Sequence, residues 1–163
     1  MKISPAIKGI ITAALMIGMI LLIFNIGKDA DARLQYAVYA IYALGIVWTL
    51  VTFRQTIAYT GSFGNLFNQG FRCFIVVTLI MALFYGIFNY SHPEFAEESA
   101  IAYKEQLLAE KNSSKTPDEI EEATHSYKKG YNMAVVYGSI FGYLIIGVAV
   151  TAAISVFLIK RKE

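Results

Sequence analysis

Histidines and carboxylates that could bind a metal ion are concentrated in one polar segment, residues 91–131. The candidates are His92, Glu94, Glu121, Glu122 and His125. Glu121 and His125 are four residues apart, so on a helix they lie on one face and could share an ion such as zinc or another transition metal. The two histidines lack the tight spacing of a His-Glu-x-x-His motif, and a pair of solvated, charged helices explains the same residues. We therefore predict no metal site and no cofactor.

Nucleophilic side chains are present, but nothing in the sequence predicts that they are activated. Ser139, Ser155 and Cys73 lie in apolar stretches with no histidine at a matching depth, and no Gly-x-Ser-x-Gly motif occurs. A serine in a spanning helix most often bonds a carbonyl one turn back. A single cysteine also excludes an intramolecular disulfide. We predict no catalytic residue and a protein that is not an enzyme.

The composition places these residues in a membrane protein. The chain has 163 residues, of which 56% are hydrophobic and 16% charged, and its mean hydropathy is +0.52. Soluble domains carry about 25% charged residues. These values argue against a soluble enzyme and a disordered chain, and the net charge of +2 gives no reason to expect a nucleic-acid partner. The lipid bilayer is the expected partner.

Four apolar stretches are long enough to cross a membrane, which takes about 20 residues in helical form. They are residues 9–26, 34–53, 71–90 and 133–159. The fold class is therefore predicted as all-α, a four-helix transmembrane bundle within one integral membrane domain, residues 1–163. The first stretch could be misread as a signal peptide, but its run of about 18 apolar residues is longer than a signal peptide needs. We interpret it as an uncleaved span.

Charges close to the spans predict the orientation. Lysine and arginine favour the cytoplasmic side. Seven basic residues fall on the side of the termini, and seven fall on the other side. The seven on the side of the termini are Lys2, Lys8, Arg54, Arg72, Lys160, Arg161 and Lys162. Because these lie close to span ends and mostly lack acidic neighbours, both termini are predicted to be cytoplasmic. A span that holds an ionisable group near its centre would indicate an ion path, and none of the four does.

Local signals predict how the connecting segments fold. Ser62 is a suitable N-cap for a helix from Phe63 to Tyr90. Within residues 91–131, a helix is predicted from Glu94 to Lys111. Thr116 and Glu119 then form a capping box with Pro117 in the first helical position. A helix that begins near Pro117 should continue into the fourth span, so that residues 91–131 form an extramembrane helical hairpin.

Small residues and amphipathic residues predict packing seams and interface anchors. Helices in lipid associate where small residues allow close approach. The predicted packing residues are Ala14, Gly18, Ala82, Gly86, Gly138, Gly142 and Gly147, either within one bundle or between two copies. The predicted anchors at the membrane surface are Tyr90, Tyr127, Tyr131, Lys160, Arg161 and Lys162. Tyr42 lies deeper in the second span, and its hydroxyl should find a partner inside the bundle.

Four stretches of sequence also carry a resemblance to a known family. They are residues 1–9 (MKISPAIKG), 61–71 (GSFGNLFNQGF), 93–95 (PEF) and 142–147 (GYLIIG). Nearly end to end, the chain resembles the domain-of-unknown-function family 4199, small four-span inner-membrane proteins of Bacteroidetes-type bacteria. The resemblance implies the fold and the inner membrane as location, and it implies no activity.

The predicted function is that of a non-enzymatic partner-binding or structural membrane component. The exposed hairpin at residues 91–131 would contact a membrane protein partner or a second copy of the chain. The alternative is a subunit of an oligomeric channel or transporter, since four spans in so short a chain enclose little space unless several copies assemble.

Overall fold

The computed structural model describes residues 3–27, 33–109 and 116–159, and these form five helices with no strand among them. The helices are α1 (Pro5–Ile26), α2 (Leu34–Arg54), α3 (Phe63–Ser91), α4 (Glu94–Ala109) and α5 (Pro117–Leu158). Four of them, α1, α2, α3 and α5, are long and apolar enough to cross a membrane. The all-helical fold class is therefore confirmed.

The helix starts follow the capping signals of the sequence. Thr116 N–H donates to Glu119 Oε2 at 2.6 Å, and Glu119 N–H donates to Thr116 Oγ1 at 3.3 Å, which is the predicted capping box. Asn65 N–H donates to Ser62 Oγ at 3.3 Å, so Ser62 caps α3 as predicted. Ser4 caps α1 in the same way, and α1 starts four residues before the predicted span.

The chain divides into two compact units, one made of Met1–Met81 and Ile140–Glu163 and the other of Ala82–Ser139. The first unit contains most of the buried apolar side chains. Its largest fully buried residues are Met16, Tyr42, Ile46, Leu50, Leu66, Phe74, Val77 and Met81. The second unit has a smaller buried set, which includes Ala82, Ala100, Leu107 and Ile120.

Glycines let the helices of the first unit approach closely. A Cβ added at Gly9 of α1 would lie 2.7 Å from the Cys73 carbonyl oxygen of α3. One added at Gly147 of α5 would lie 2.7 Å from Phe74 Cγ. Such distances leave no room for a side chain, so each glycine marks a place where two helices meet. The same holds for Gly45 of α2, which faces the Thr12 side chain of α1.

Candidate functional site

The first unit contains a cavity of about 450 Å³ next to Lys8, which we call the Lys8 cavity. The start of α1, the end of α2 and the first part of α3 line it. Its polar lining residues are Ser4, Lys8, Thr49, Thr52, Thr56 and Gln69, and its apolar ones are Ile3, Pro5, Trp48, Phe53 and Ala58. Its volume falls within the range of small-molecule sites, about 300–1,000 Å³.

The N-terminal sequence of α1 turns Lys8 inward. Ser4 caps the helix and Pro5 takes its first position, so Lys8 lies at the end of the first turn. Gly9, next to it, brings α1 against α3. As a result only 7% of Lys8 is exposed. Burying an ammonium group costs free energy unless other groups compensate the charge.

Two side chains of α2 contact the Lys8 ammonium group. Lys8 Nζ donates a hydrogen bond to Thr52 Oγ1, and it lies 5.1 Å from the centroid of the Trp48 ring, a cation–π distance. Thr52 can accept because its own hydroxyl hydrogen is directed at the Trp48 carbonyl oxygen, 2.7 Å away. The Lys8 side chain is thus held against one face of α2.

The other threonines of the cavity direct their hydroxyl hydrogens at the backbone. Thr49 Oγ1 donates to the Gly45 carbonyl at 2.9 Å, and Thr56 Oγ1 donates to the Phe53 carbonyl at 2.7 Å. Thr49 and Thr52 lie one turn apart on the same face of α2, and Thr56 follows just after the end of that helix. The threonine hydroxyls therefore give the cavity mainly acceptor oxygens and apolar methyl groups, while Lys8 gives it the charge.

No carboxylate among the described residues of the first unit offsets that charge. Within residues 3–27, 33–81 and 140–159, the described part of this unit, the sequence has no aspartate and no glutamate. The arrangement is therefore a partly apolar cavity with an excess of positive charge. Chemically, it is suited to holding an anion that accepts hydrogen bonds.

In the second unit, side chains of α4 contact side chains in the first part of α5. The rings of Tyr103 and Tyr127 stack with their centroids 4.5 Å apart, and Lys128 Nζ lies 3.4 Å from Glu97 Oε2. Ala100 and Leu107 are buried.

Comparison with known proteins gives a family. A family model described as "Protein of unknown function (DUF4199)" matches residues 6–160. The chain belongs to the DUF4199 family. No curated protein and no solved structure matches it significantly. The resemblance predicted from the sequence is therefore confirmed at the level of the family.

The metal candidates of this DUF4199 protein lie in the second unit. His92 Nδ1 lies 2.7 Å from Glu94 Oε1, and the His92 ring is also near Phe88 and Phe95. Over the described ranges, no three His, Cys, Asp or Glu residues come close enough together to hold a metal ion. His92 thus forms a local contact with Glu94 at the start of α4.

The structure separates the predicted packing residues of the DUF4199 chain into two groups. Three of them are packed. Gly147 lies against Phe74, and Ala82 is only 8% exposed. A Cβ added at Gly86 would lie 3.5 Å from Val136 Cγ2. The other four lie towards open space. They are Ala14, which is exposed, and Gly18, Gly138 and Gly142, where an added Cβ would meet no described atom within 4 Å.

Helix geometry explains why Gly147 is packed against other helices while Gly142 lies towards open space. Five residues at about 100° each rotate Gly147 by roughly 140° relative to Gly142. The buried side of α5 in the first unit follows Tyr143, Gly147, Thr151 and Ser155, one residue per turn. Within this chain, Gly142 is therefore not part of that packed side.

The predicted membrane-surface anchors differ in how exposed their side chains are. Tyr90 is 82% exposed and Tyr127 is 40% exposed, while Tyr131 is half-buried, with its ring centroid 6.5 Å from that of Tyr127. Lys160, Arg161 and Lys162 lie outside the described residues. The placement of all six at the membrane surface stays a prediction.

The sequence predicts Lys8 at the charged flank of the first span and gives no prediction of the Lys8 cavity. One signal was available, since Ser4-Pro5 is a helix start and puts Lys8 inside α1. Lys8 then shares a helix face with Thr12, which lies one turn later in α1 and is also buried. A lysine on the helix face that carries the small and polar residues of a span indicates that the lysine side chain is buried. Its neighbour Trp48 comes from another helix and had no such signal.

Proposed function

We propose that this protein is a non-enzymatic component of the bacterial inner membrane that binds a protein partner through residues 91–131. One observation supports this most directly. On α4, Ile101 is 55% exposed and Leu108 is 64% exposed, although Ala100 and Leu107 beside them are buried. Ile101 and Leu108 are seven residues apart, so they share one face of the helix. Aliphatic side chains displayed together on a charged helix suit a protein contact.

The charges of this segment support its placement in water as an extramembrane hairpin. Residues 91–131 contain five lysines and nine acidic residues. Charged side chains are costly in hydrocarbon. The contacts of Tyr103 with Tyr127 and of Glu97 with Lys128 support an antiparallel hairpin of α4 and α5. We therefore place residues 91–131 in the periplasm, with both termini in the cytoplasm.

Reporter fusions test this orientation. Alkaline phosphatase is active only on the periplasmic side, so a fusion after Glu163 should be inactive and an insertion at Asn112 should be active. An active fusion after Glu163 would overturn the proposed orientation. Equal expression of the two fusions, measured by immunoblot, is the control.

Photocrosslinking in cells tests the partner. A photoreactive residue at Ile101 or Leu108 should give a discrete crosslinked band, whereas one at exposed Gln106 should not. A variant that lacks residues 95–127 should still insert into the membrane and should lose that partner. If neither Ile101 nor Leu108 crosslinks to protein in cells with normal amounts of the chain, the proposed partner contact is wrong.

A second candidate is a homo-oligomer, the state that a channel or transporter subunit would need. The open space beside Gly138 and Gly142 favours it, because a GxxxG pair that meets none of the described residues of its own chain can pack against a second copy. Gly142→Ile should then shift the purified protein from a dimer to a monomer in light scattering, with Gly64→Ile as control.

Ion flux through vesicles that contain the wild-type protein would favour the channel alternative over partner binding.

A further inference from the structure

The Lys8 cavity contains more hydrogen-bond donors than the described residues provide with acceptors. The Lys8 ammonium group has three N–H donors, and Thr52 is the acceptor that the described residues provide. Ser4 Oγ accepts from Ile7 N–H, so the Ser4 hydroxyl hydrogen remains able to donate. The Gln69 amide also lines the cavity. A ligand that fits must therefore bring acceptors.

The helix ends at the cavity do not neutralise the lysine. The start of α1 contributes a partial positive charge of about half a unit, and the end of α2 contributes a partial negative charge of similar size. The two offset each other. The Phe53 carbonyl at the end of α2 already accepts from Thr56 Oγ1 and Thr56 N–H. The helix ends therefore give the Lys8 ammonium group no net compensation, and the described residues of its unit offer it no carboxylate.

We propose that the Lys8 cavity binds a phosphate oxyanion, with Lys8, Ser4 and Gln69 as its donors and Trp48 as an apolar wall. Phosphate oxygens accept several hydrogen bonds and carry the charge that an ammonium group needs. The occupant is either the headgroup of an anionic phospholipid or a free phosphate. This assignment does not depend on the partner role of residues 91–131, which lie in the other unit.

The surroundings of the cavity favour the phospholipid as the source. The cavity lies at the end of two helices that are each apolar enough to cross a membrane, at the N-terminus of α1 and the C-terminus of α2. Span ends are where lipid phosphates lie. Ile3, Trp48 and Phe53 add apolar surface beside the polar groups, which suits the glycerol and first methylene groups of a lipid.

Trp48 is the single tryptophan of the chain, so its fluorescence reports on the cavity directly. The purified protein is placed in phosphatidylcholine nanodiscs, and either phosphatidylglycerol or inorganic phosphate is titrated. We expect a saturable change in Trp48 emission, and retention of one phosphatidylglycerol molecule in native mass spectrometry. A response to the lipid alone identifies the headgroup as the source, and a response to inorganic phosphate as well identifies a free anion. No saturable response in either measurement would overturn the proposal.

Three variants decide whether Lys8 is responsible. Lys8→Met should weaken binding by about tenfold or more, the loss expected for one charged hydrogen bond, and Lys8→Arg should retain it. Arg54→Met is the matched control, because it removes an exposed positive charge at the same end of α2 and should change binding less than twofold. Equal weakening in Lys8→Met and Arg54→Met would show general charge attraction and overturn the site. If Lys8→Met does not fold, Thr52→Val replaces it. Thr52→Val removes the hydroxyl that positions the Lys8 ammonium group, and it should weaken binding to the same extent.

Discussion

The hydroxyl of Tyr42 donates a hydrogen bond to the main-chain carbonyl of Tyr143 at 2.9 Å, and their two rings meet edge to face with centroids 5.4 Å apart. Tyr42 is in the middle of α2 and Tyr143 is in α5, 101 residues later. The contact confirms the prediction that the Tyr42 hydroxyl finds a partner inside the bundle. It also ties the fourth candidate span to the second within one unit.

Replacing Tyr42 with Phe should lower the stability by a modest amount. The Tyr143 carbonyl has two lone pairs and can keep its helical hydrogen bond, so the variant loses one bond and leaves no group unsatisfied. We expect a decrease of about 0.6 kcal/mol in the free energy of unfolding, the average for such bonds in a membrane protein. Unfolding of the detergent-solubilised protein by a denaturing detergent measures it. A decrease above about 3 kcal/mol would contradict this account of the bond.

Replacing Gly147 with Ala should destabilise the protein more than Tyr42→Phe does. The added Cβ would lie 2.5 Å from the Tyr42 hydroxyl oxygen and 2.7 Å from Phe74 Cγ, so the rings must move. Overpacking of this kind costs about 1–3 kcal/mol. Gly142→Ala is the matched control, since it adds the same methyl group to the same helix in open space. It should leave stability unchanged or raise it, measured by thermal unfolding in detergent. Equal losses in the two variants would argue against this packing.

Cysteine pairs test the antiparallel order of α4 and α5. Glu97→Cys combined with Lys128→Cys should react with a short bismaleimide, because Glu97 and Lys128 are in contact. Glu97→Cys combined with Glu121→Cys should not, because Glu121 lies seven residues, roughly 10 Å, along α5 from Lys128. The native Cys73 is buried and should give little background. Gel mobility after protease cleavage between the helices reads the result, and equal crosslinking of both pairs would refute the register.

The start of α4 should show a dependence on pH. The Glu94 carboxylate accepts a hydrogen bond from its own backbone N–H and lies 2.7 Å from His92, and these contacts lower the pKa of Glu94 below its usual value. Their stabilisation is therefore present above the unfolded-state pKa of Glu94 and is lost as the pH falls through the lower, folded-state pKa. His92→Ala should raise the pKa of Glu94 only in part, because the backbone contact remains.

Carboxyl NMR of labelled protein measures that titration. His125→Ala serves as the control, because it removes the other histidine of the same unit from an exposed position. It should leave the Glu94 titration where it is in the wild-type protein. A Glu94 pKa at or above the usual glutamate value in the wild-type protein would show that these contacts do not hold in solution.

The candidate site shows which of its features local sequence signals can predict and which they cannot. Ser4 and Pro5 are sufficient to start α1 and so to put Lys8 inside a helix. They cannot show that Trp48 and Thr52, more than forty residues later, provide the contacts of Lys8. For the same reason, the GxxxG pattern alone does not distinguish Gly142 from Gly147, although within the described residues Gly147 meets another helix and Gly142 does not.

Local signals in the sequence are sufficient to predict the helices. Runs of apolar residues, capping boxes and prolines act within a few residues of each other, and a chain that crosses lipid must bond its backbone within each segment. The tertiary structure decided which side of each helix is buried. That choice depends on which side chains of distant helices fit together, as Tyr42 fits beside Gly147 and Lys8 beside Trp48, and such fits depend on distances in space that sequence spacing does not contain.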